Sequence, residues 1–268
     1  MTFDVRVGGP ADGVPVLLLH GFPEHAGMWA AVVALLPGHR TIAPDQRGYS
    51  PGARPAGVGA YRVTELVADA VGILDALGVG PAHVVGHDWG AVVGWQLAAR
   101  RPERVRSLTA VSVPHPAAHA AAMRTDPEQQ EMSRYIGLFR QPGAEERLLA
   151  DDARRLRRML AGGEQDSGIP AESIEEYVAV LSAPGALTAA LNWYRAMSSD
   201  TRVDPVGVPT TYVWSDGDVA IGRTAAEACA NYVTGDYRFV ELPGITHWIP
   251  EQAPEQLTRA ILDRIAST

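Results

Sequence analysis

The sequence contains no lysine, since all 23 of its basic residues are arginine. That absence removes Schiff-base chemistry, a lysine general base and the lysine of a Walker-type phosphate loop. There is one cysteine, Cys229, with no Cys or His cluster around it. An internal disulfide and a structural zinc site are thereby excluded, and a reducing, cytoplasmic setting is expected. No apolar run approaches the length of a membrane span, and Met1 to Val5 show no basic segment leading into an apolar stretch, so a soluble, untargeted protein is expected. The formal charge is −8, and arginines and acidic residues are mixed along the chain without the basic stripe that nucleic acid requires. What the chain does have is apolar content: 46% of 268 residues, enough for one large domain or a domain carrying an insertion. Disorder, collagen-like repetition and coiled coil are excluded by the same balance.

Val14-Pro15-Val16-Leu17-Leu18-Leu19 is a continuous apolar run ending at His20-Gly21, the pattern of a strand buried on both faces of a mostly parallel sheet. Similar runs recur at Thr41 to Ala43, Ala82 to Val85, Leu108 to Val113, Thr211 to Trp214 and Tyr237 to Val240. Helical periodicity lies between several of them, at Thr64 to Leu77 and Trp89 to Arg100, and again in a final helix from Pro254 to Ile265. Alternating strands and helices predict a doubly wound α/β sheet. From about Pro114 to Val203 the alternation stops. Helical segments are predicted there around Pro127 to Phe139, Pro142 to Leu160, Glu172 to Leu181 and Pro184 to Ser198, with Asp151 to Arg158 forming a solvated helix face with i,i+4 charge pairing. The expected organisation is a core from residues 1–114, a helical lid over 115–203 and the rest of the core over 204–268.

The predicted strand at Ala82 runs through Gly86-His87-Asp88-Trp89-Gly90 directly into a helix. Glycines on either side of the central residue suit a tight strand-to-helix turn, which leaves the central side chain above the sheet beside a positive helix N-terminus. That residue is Asp88. A carboxylate with a reference pKa of about 3.9 is already ionised at neutral pH and needs no activating base. It can attack an electrophilic sp3 carbon to give an alkyl ester, whereas attack on a carboxylic ester would give a mixed anhydride, so ordinary esterase chemistry is disfavoured.

With these residues the whole chain resembles the α/β-hydrolase superfamily, and within it the soluble epoxide hydrolases and the haloalkane dehalogenases. His20-Gly21-Phe22-Pro23-Glu24 is similar to the family's oxyanion-hole segment, in which the proline follows a cis peptide bond. The match implies that the backbone N–H groups of Phe22 and Trp89 form that hole, with His20 bracing the loop. Val213-Trp214-Ser215-Asp216-Gly217-Asp218 places Asp218 at the charge-relay position, with Asp216 a rival two residues away and Ser215 where a glycine is usual. Gly244-Ile245-Thr246-His247-Trp248 places His247 as the general base. Once Asp88 carries an alkyl group, water must attack its carbonyl carbon. A neutral imidazole suits that step, with a carboxylate fixing its tautomer.

The helical segment distinguishes the two relatives. A ring-opened epoxide leaves as an alkoxide and needs a proton donor, and tyrosine suits the task. Tyr135-Ile136-Gly137-Leu138-Phe139 and Leu191-Asn192-Trp193-Tyr194-Arg195 resemble the lid segments that carry the two tyrosines of epoxide hydrolases. The resemblance therefore implies an epoxide hydrolase that forms a diol through an ester on Asp88, with Tyr135 and Tyr194 as acids and no cofactor or metal. The alternatives are a haloalkane or haloacid dehalogenase using Asp88, His247 and Asp218, and a non-catalytic ligand receptor on this fold. Trp29, Phe139, Trp193 and Trp248 are expected to line an apolar substrate pocket. His115 and His119 have i,i+4 spacing, but they follow a strand in a Pro-rich turn and lack a third ligand, so they are read as structural. The expected partner is a small-molecule epoxide, with a homodimer left open and neither nucleic acid nor membrane expected.

Overall fold

The structure, a computed structural model, describes residues 1–163, 166–197 and 203–268. Seven strands form one sheet: β1 (Val5–Gly8), β2 (Val14–Leu19), β3 (His39–Pro44), β4 (Ala82–His87), β5 (Val105–Val111), β6 (Thr210–Gly217) and β7 (Tyr237–Thr246). Their spatial order is β1-β3-β2-β4-β5-β6-β7, parallel throughout except for the antiparallel β1–β3 pair at one edge. This is the expected α/β-hydrolase architecture. The central strand β4 is buried along its whole length, and Leu17, Leu18 and Leu19 of β2 are fully enclosed. Side chains covered on both faces explain why these strands read as unbroken apolar runs.

Three helices flank the first half of the sheet: α1 (Ala30–Ala34), α2 (Val63–Ala76) and α3 (Trp89–Arg100). Among the described residues six follow between β5 and β6: α4 (Pro116–Thr125), α5 (Pro127–Met132), α6 (Arg134–Phe139), α7 (Ala144–Leu160), α8 (Ala171–Ser182) and α9 (Ala186–Arg195). The sheet then resumes, with α10 (Arg223–Ala228), α11 (Ile249–Gln252) and α12 (Pro254–Ile265) around its last strands. No helix among the described residues is long and apolar enough to cross a membrane. The predicted helix end at Ser198, and residues 198–202 at the expected lid boundary, lie outside the described residues.

The structure differs from the sequence reading at several elements. Strand β1 carries no apolar run because it is a four-residue edge strand with Arg6 and Val7 turned to solvent. Helix α4 stands where His115-Pro116 suggested only a turn; proline is in fact favourable at a first helical position, and the His115 imidazole caps the helix by accepting from the Ala117 N–H at 3.2 Å. The segment Pro127 to Phe139 is two short helices meeting at Ser133. Within α7 the backbone leaves the helix at Ala150 and enters the left-handed region at Asp151, Asp152 and Ala153. The expected i,i+4 ladder is replaced by Arg154–Asp151 at 2.7 Å and by a forked Arg157–Glu175 contact to α8. Strand β7 runs on through Pro243-Gly244 to Thr246, past the expected apolar run from Tyr237 to Val240.

Helix α12 is fixed to the sheet by more than its apolar stripe. The fully buried Arg264 donates from Nε to Thr211 Oγ1 and from Nη2 to the Thr210 carbonyl, both at 2.9 Å, and pairs with Asp236 at the surface. Removing the guanidinium leaves the Thr210 carbonyl without that donor and opens a void under the helix. Arg264→Ala should therefore lower the unfolding free energy by about 3 kcal/mol and the melting temperature by roughly 6–12 °C, read by thermal denaturation.

Candidate active site

The parallel strands end on one side of the sheet, and that edge collects the predicted residues. Asp88 sits between β4 and α3 with φ 52° and ψ −118°, a conformation that costs on the order of 1–3 kcal/mol for a residue with a Cβ. The turn closes only because its neighbours lack side chains. A Cβ on Gly86 would lie 2.2 Å from the Gly90 carbonyl oxygen, and one on Gly90 would lie 1.9 Å from that of Leu19. Across the crevice, Gly21 lets the loop after β2 approach so closely that a Cβ there would lie 2.4 Å from Asp88 Oδ1. The Phe22 N–H donates to that same oxygen at 2.8 Å, and the Phe22-Pro23 peptide is cis. Trp89 opens α3, so its amide belongs to the unsatisfied first turn. His20 secures the loop: its Nε2 accepts from the Gln46 N–H at 3.0 Å, which leaves Nδ1–H to donate to the Gly21 carbonyl at 2.9 Å.

His247 follows β7, and its Nε2 lies 3.8 Å from Asp88 Oδ2. Its Nδ1 is 2.9 Å from Asp218 Oδ2, while Asp218 Oδ1 accepts from the Ala220 and Ile221 N–H groups at 2.7 and 3.0 Å. Asp216, the rival, is exposed and accepts from the Gly244 N–H at 2.6 Å, so the residue facing His247 is Asp218. Ser215 donates to the Thr246 carbonyl at 2.8 Å and ties the ends of β6 and β7 together where these two side chains leave them. Burial alone pushes His247 down, but the charge and hydrogen bond of Asp218, and after them the charge of Asp88, bring it up to about 9.

The helical insertion closes over this edge with aromatic rings. Tyr194 of α9 packs edge-on against Phe22, Trp89 and Phe139, with ring centroids 5.1–5.4 Å away, and Tyr135 of α6 lies 6.3 Å from it. Asp88, Trp89, Tyr135, Trp193 and Tyr194 all border one cavity of about 190 Å³. Burial, and after it the charge of Asp88, pushes both tyrosines well above the ordinary phenol value, so both keep their protons.

The four predicted pocket residues are placed differently. Trp193 lines the cavity and donates to the Arg47 carbonyl at 2.8 Å. Phe139 packs behind it against Phe22 and Tyr135. Trp248 stands edge-on to His247 and lines a second cavity of about 350 Å³ that reaches His247 from the side of α7. Trp29 belongs to the core, 1% exposed and outside both cavities; an apolar side chain near a motif does not reveal from sequence whether it faces a void or a neighbour. His115 stacks on Tyr232 and His119 lies 3.3 Å from Ser133 Oγ. Among the described residues no group of His, Cys, Asp or Glu is placed to hold a metal ion.

Sequence reasoning missed a set of polar groups beneath His247. Ser112 Oγ donates to the His247 carbonyl at 2.9 Å, and His87 Nε2 lies 2.9 Å from the same oxygen. His87 Nδ1 in turn lies 3.1 Å from Glu24 Oε2. Position within the two recognised motifs was the only available signal, because Glu24 closes one motif and His87 directly precedes Asp88.

A strained acidic residue at a strand-to-helix turn, an amide donor on its carboxylate and an Asp–His pair on the last two strands define an α/β protein built for hydrolytic chemistry. The chain belongs to the alpha/beta hydrolase fold family, whose model matches residues 14–254. It is 34% identical to epoxide hydrolase A of Mycobacterium tuberculosis, over 97% of this chain and 92% of that protein. It is 33% identical to an AB hydrolase superfamily protein of Bacillus subtilis, over 98% of this chain and 94% of that one. Among solved structures, epoxide hydrolase A from Mycobacterium thermoresistibile superposes with a TM-score of 0.87 at 29% identity, covering 98% of this chain and 94% of that one. The protein is thus an epoxide-hydrolase-like member of the superfamily.

The site makes a prediction independent of any substrate. His247 should titrate near pH 9 when its ring protons are followed by NMR, because its folded value is raised. Asp218→Asn removes the largest raising influence and should bring that midpoint down by more than one pH unit.

Proposed function

We propose that the protein is an epoxide hydrolase that works through a covalent ester on Asp88. The observation that carries this reading is that the Asp88 carboxylate and two protonated phenols, Tyr135 and Tyr194, border the same small cavity, with His247 on the far side of the carboxylate. An epoxide there meets a nucleophile at carbon and two O–H donors at oxygen. The tyrosines favour this reading over a dehalogenase, since a departing halide needs no proton. Two of the relatives named above, from Mycobacterium tuberculosis and Mycobacterium thermoresistibile, are epoxide hydrolases, which supports the same reading.

In the resting site Asp88 is a carboxylate and His247 an imidazolium. Asp88 Oδ2 attacks an epoxide carbon, the C–O bond breaks, and a tyrosine gives its proton to the leaving oxygen. The ester carbonyl is then Oδ1, which already accepts from the Phe22 amide. The phenolate regains a proton from the His247 imidazolium, which leaves neutral imidazole beside the ester. Water attacks the ester carbon as His247 Nε2 takes its proton, and the oxyanion forms on Oδ1 under the Phe22 and Trp89 amides. Collapse breaks the bond from that carbon to Oδ2, the hydroxyl proton on the tetrahedral carbon passes to the departing oxygen, and the diol leaves with carboxylate and imidazolium restored. One oxyanion donor is typically worth about 3 kcal/mol in such sites, so the second step leans heavily on these amides.

In this scheme the water oxygen enters Asp88 and reaches the diol one turnover later. Turnover of an epoxide such as styrene oxide in heavy-oxygen water should place label in the peptide that contains Asp88, read by mass spectrometry; a carboxylate that stays unlabelled after many cycles overturns the mechanism. Tyr194→Phe should slow ester formation about 10²-fold or more in pre-steady-state measurements while changing ester hydrolysis far less. Equal effects on both steps would remove Tyr194 from the acid role.

A further inference from the structure

Beneath His247 lies a line of titratable groups that the mechanism does not use. It starts on the inserted helix α8, where Tyr177 O–H donates to Glu251 Oε1 at 3.0 Å. Glu251 and Glu24 are in side-chain contact with one another. The oxygens that remain, Glu251 Oε2 and Glu24 Oε1, are both closed to solvent and receive no hydrogen bond from any other described residue. Glu24 Oε2 then meets His87 Nδ1 at 3.1 Å, and His87 Nε2 meets the His247 carbonyl at 2.9 Å. Glu24 and His87 are fully enclosed.

Counting protons along this line fixes its charge. The His247 carbonyl can only accept, so His87 Nε2 must carry a hydrogen. The contact between His87 Nδ1 and Glu24 Oε2 then needs one proton, on either atom. The contact between the two carboxyl groups needs another, because two bare carboxylate oxygens cannot hydrogen-bond. Two protons added to two carboxylates and one neutral imidazole give a net charge of zero, whichever way each contact is polarised. We propose that Glu24, Glu251 and His87 hold these two protons at neutral pH and form an uncharged hydrogen-bonded chain from Tyr177 on the insertion to the backbone of His247.

Burial acts in the same direction, pushing Glu24 up to about 7 and Glu251 further above the usual carboxylate range, and pushing His87 down to about 4. The other titratable groups facing the line are His247 and Asp88 from the site, His20 beside His87, Tyr49 beside Glu24, and His25 and Glu176 beside Tyr177. An uncharged chain leaves the protonation of His247 to Asp218 and Asp88, and it holds the His247 backbone from the side of the insertion. Glu24, His87 and Glu251 are thus positioning residues, and Glu251 is the one that links core to insertion.

Glu251→Gln tests this, because its amide can donate to Glu24 Oε1 and its carbonyl can accept from Tyr177 with no titratable proton. Infrared spectra of the wild-type protein at about pH 7.5 should contain a carboxylic-acid carbonyl band, and the E251Q spectrum should lack the Glu251 component of it. Glu251→Leu, which leaves both Glu24 and Tyr177 without this partner, should lower kcat on styrene oxide about tenfold or more with KM changed less than about threefold, and E251Q should recover most of that loss. Identical carboxylic-acid regions for wild type and E251Q overturn the proposal. So does an E251Q enzyme as slow as E251L. If E251L does not fold, the spectra and the E251Q rate still decide the matter. The kinetic arm rests on the proposed epoxide hydrolysis; the infrared arm does not, so a wild-type protein with the band but no turnover would refute the function and leave the chain standing.

Discussion

The hydrogen bond from the Phe22 amide to Asp88 Oδ1 is the contact around which the site is organised. It joins the loop after β2 to the turn after β4, two adjacent parallel strands, and it can form only because Gly21 lets the backbone come against the carboxylate. It also divides the two oxygens of Asp88 into separate roles. Oδ1 is held by the amide and Oδ2 is left facing His247. The strain stored at Asp88 (φ 52°) is held in place by this bond, by the β4 ladder on one side and by α3, whose first turns begin from the Asp88 carbonyl, on the other. A freely rotating carboxylate would lose the distinction between the oxygen held by the amide and the one facing His247, on which the proposed attack depends.

The fold was legible because its defining signals are local. Runs such as Val14 to Leu19 record burial on both sheet faces, and the glycines around Asp88 record a turn that no other residue admits at those places. The order Asp88, Asp218, His247 was legible because each follows a strand whose apolar run marks it. Strand position already favoured Asp218 over Asp216, and the three-dimensional path gives the reason: Asp216 lies inside β6 and turns to the Gly244 amide, whereas Asp218 follows the strand and faces His247. Strand β1 and helix α4 escaped notice for opposite reasons: β1 is too short and exposed to leave a periodic trace, while α4 opens with a histidine cap and a proline that also describe a turn.

The line from Tyr177 to His247 was the least legible part. Glutamate in a sequence reads as surface, and its partners here are far apart along the chain: 63 residues separate Glu24 from His87, and 74 separate Tyr177 from Glu251. Burial of an acidic group becomes visible only when the enclosing elements are assembled. The same limit applied to the aromatic residues. Trp29 and Trp193 look alike in sequence, yet one fills the core and the other walls the cavity.

One electrostatic event serves both halves of the proposed reaction. While Asp88 is ionised, its charge helps raise His247 to about 9 and helps keep Tyr194 and Tyr135 protonated. Ester formation removes that charge. The phenols then become stronger acids as negative charge grows on the epoxide oxygen, and His247 becomes a weaker holder of its proton when a neutral base is required. A histidine raised this far would be a poor base in the free enzyme, but the base acts only after Asp88 has been esterified, and Asp218 then holds the ring in the tautomer that exposes Nε2 to water. In the proposed sequence, the nucleophile's loss of charge is therefore the signal that hands the reaction from the tyrosines to the histidine.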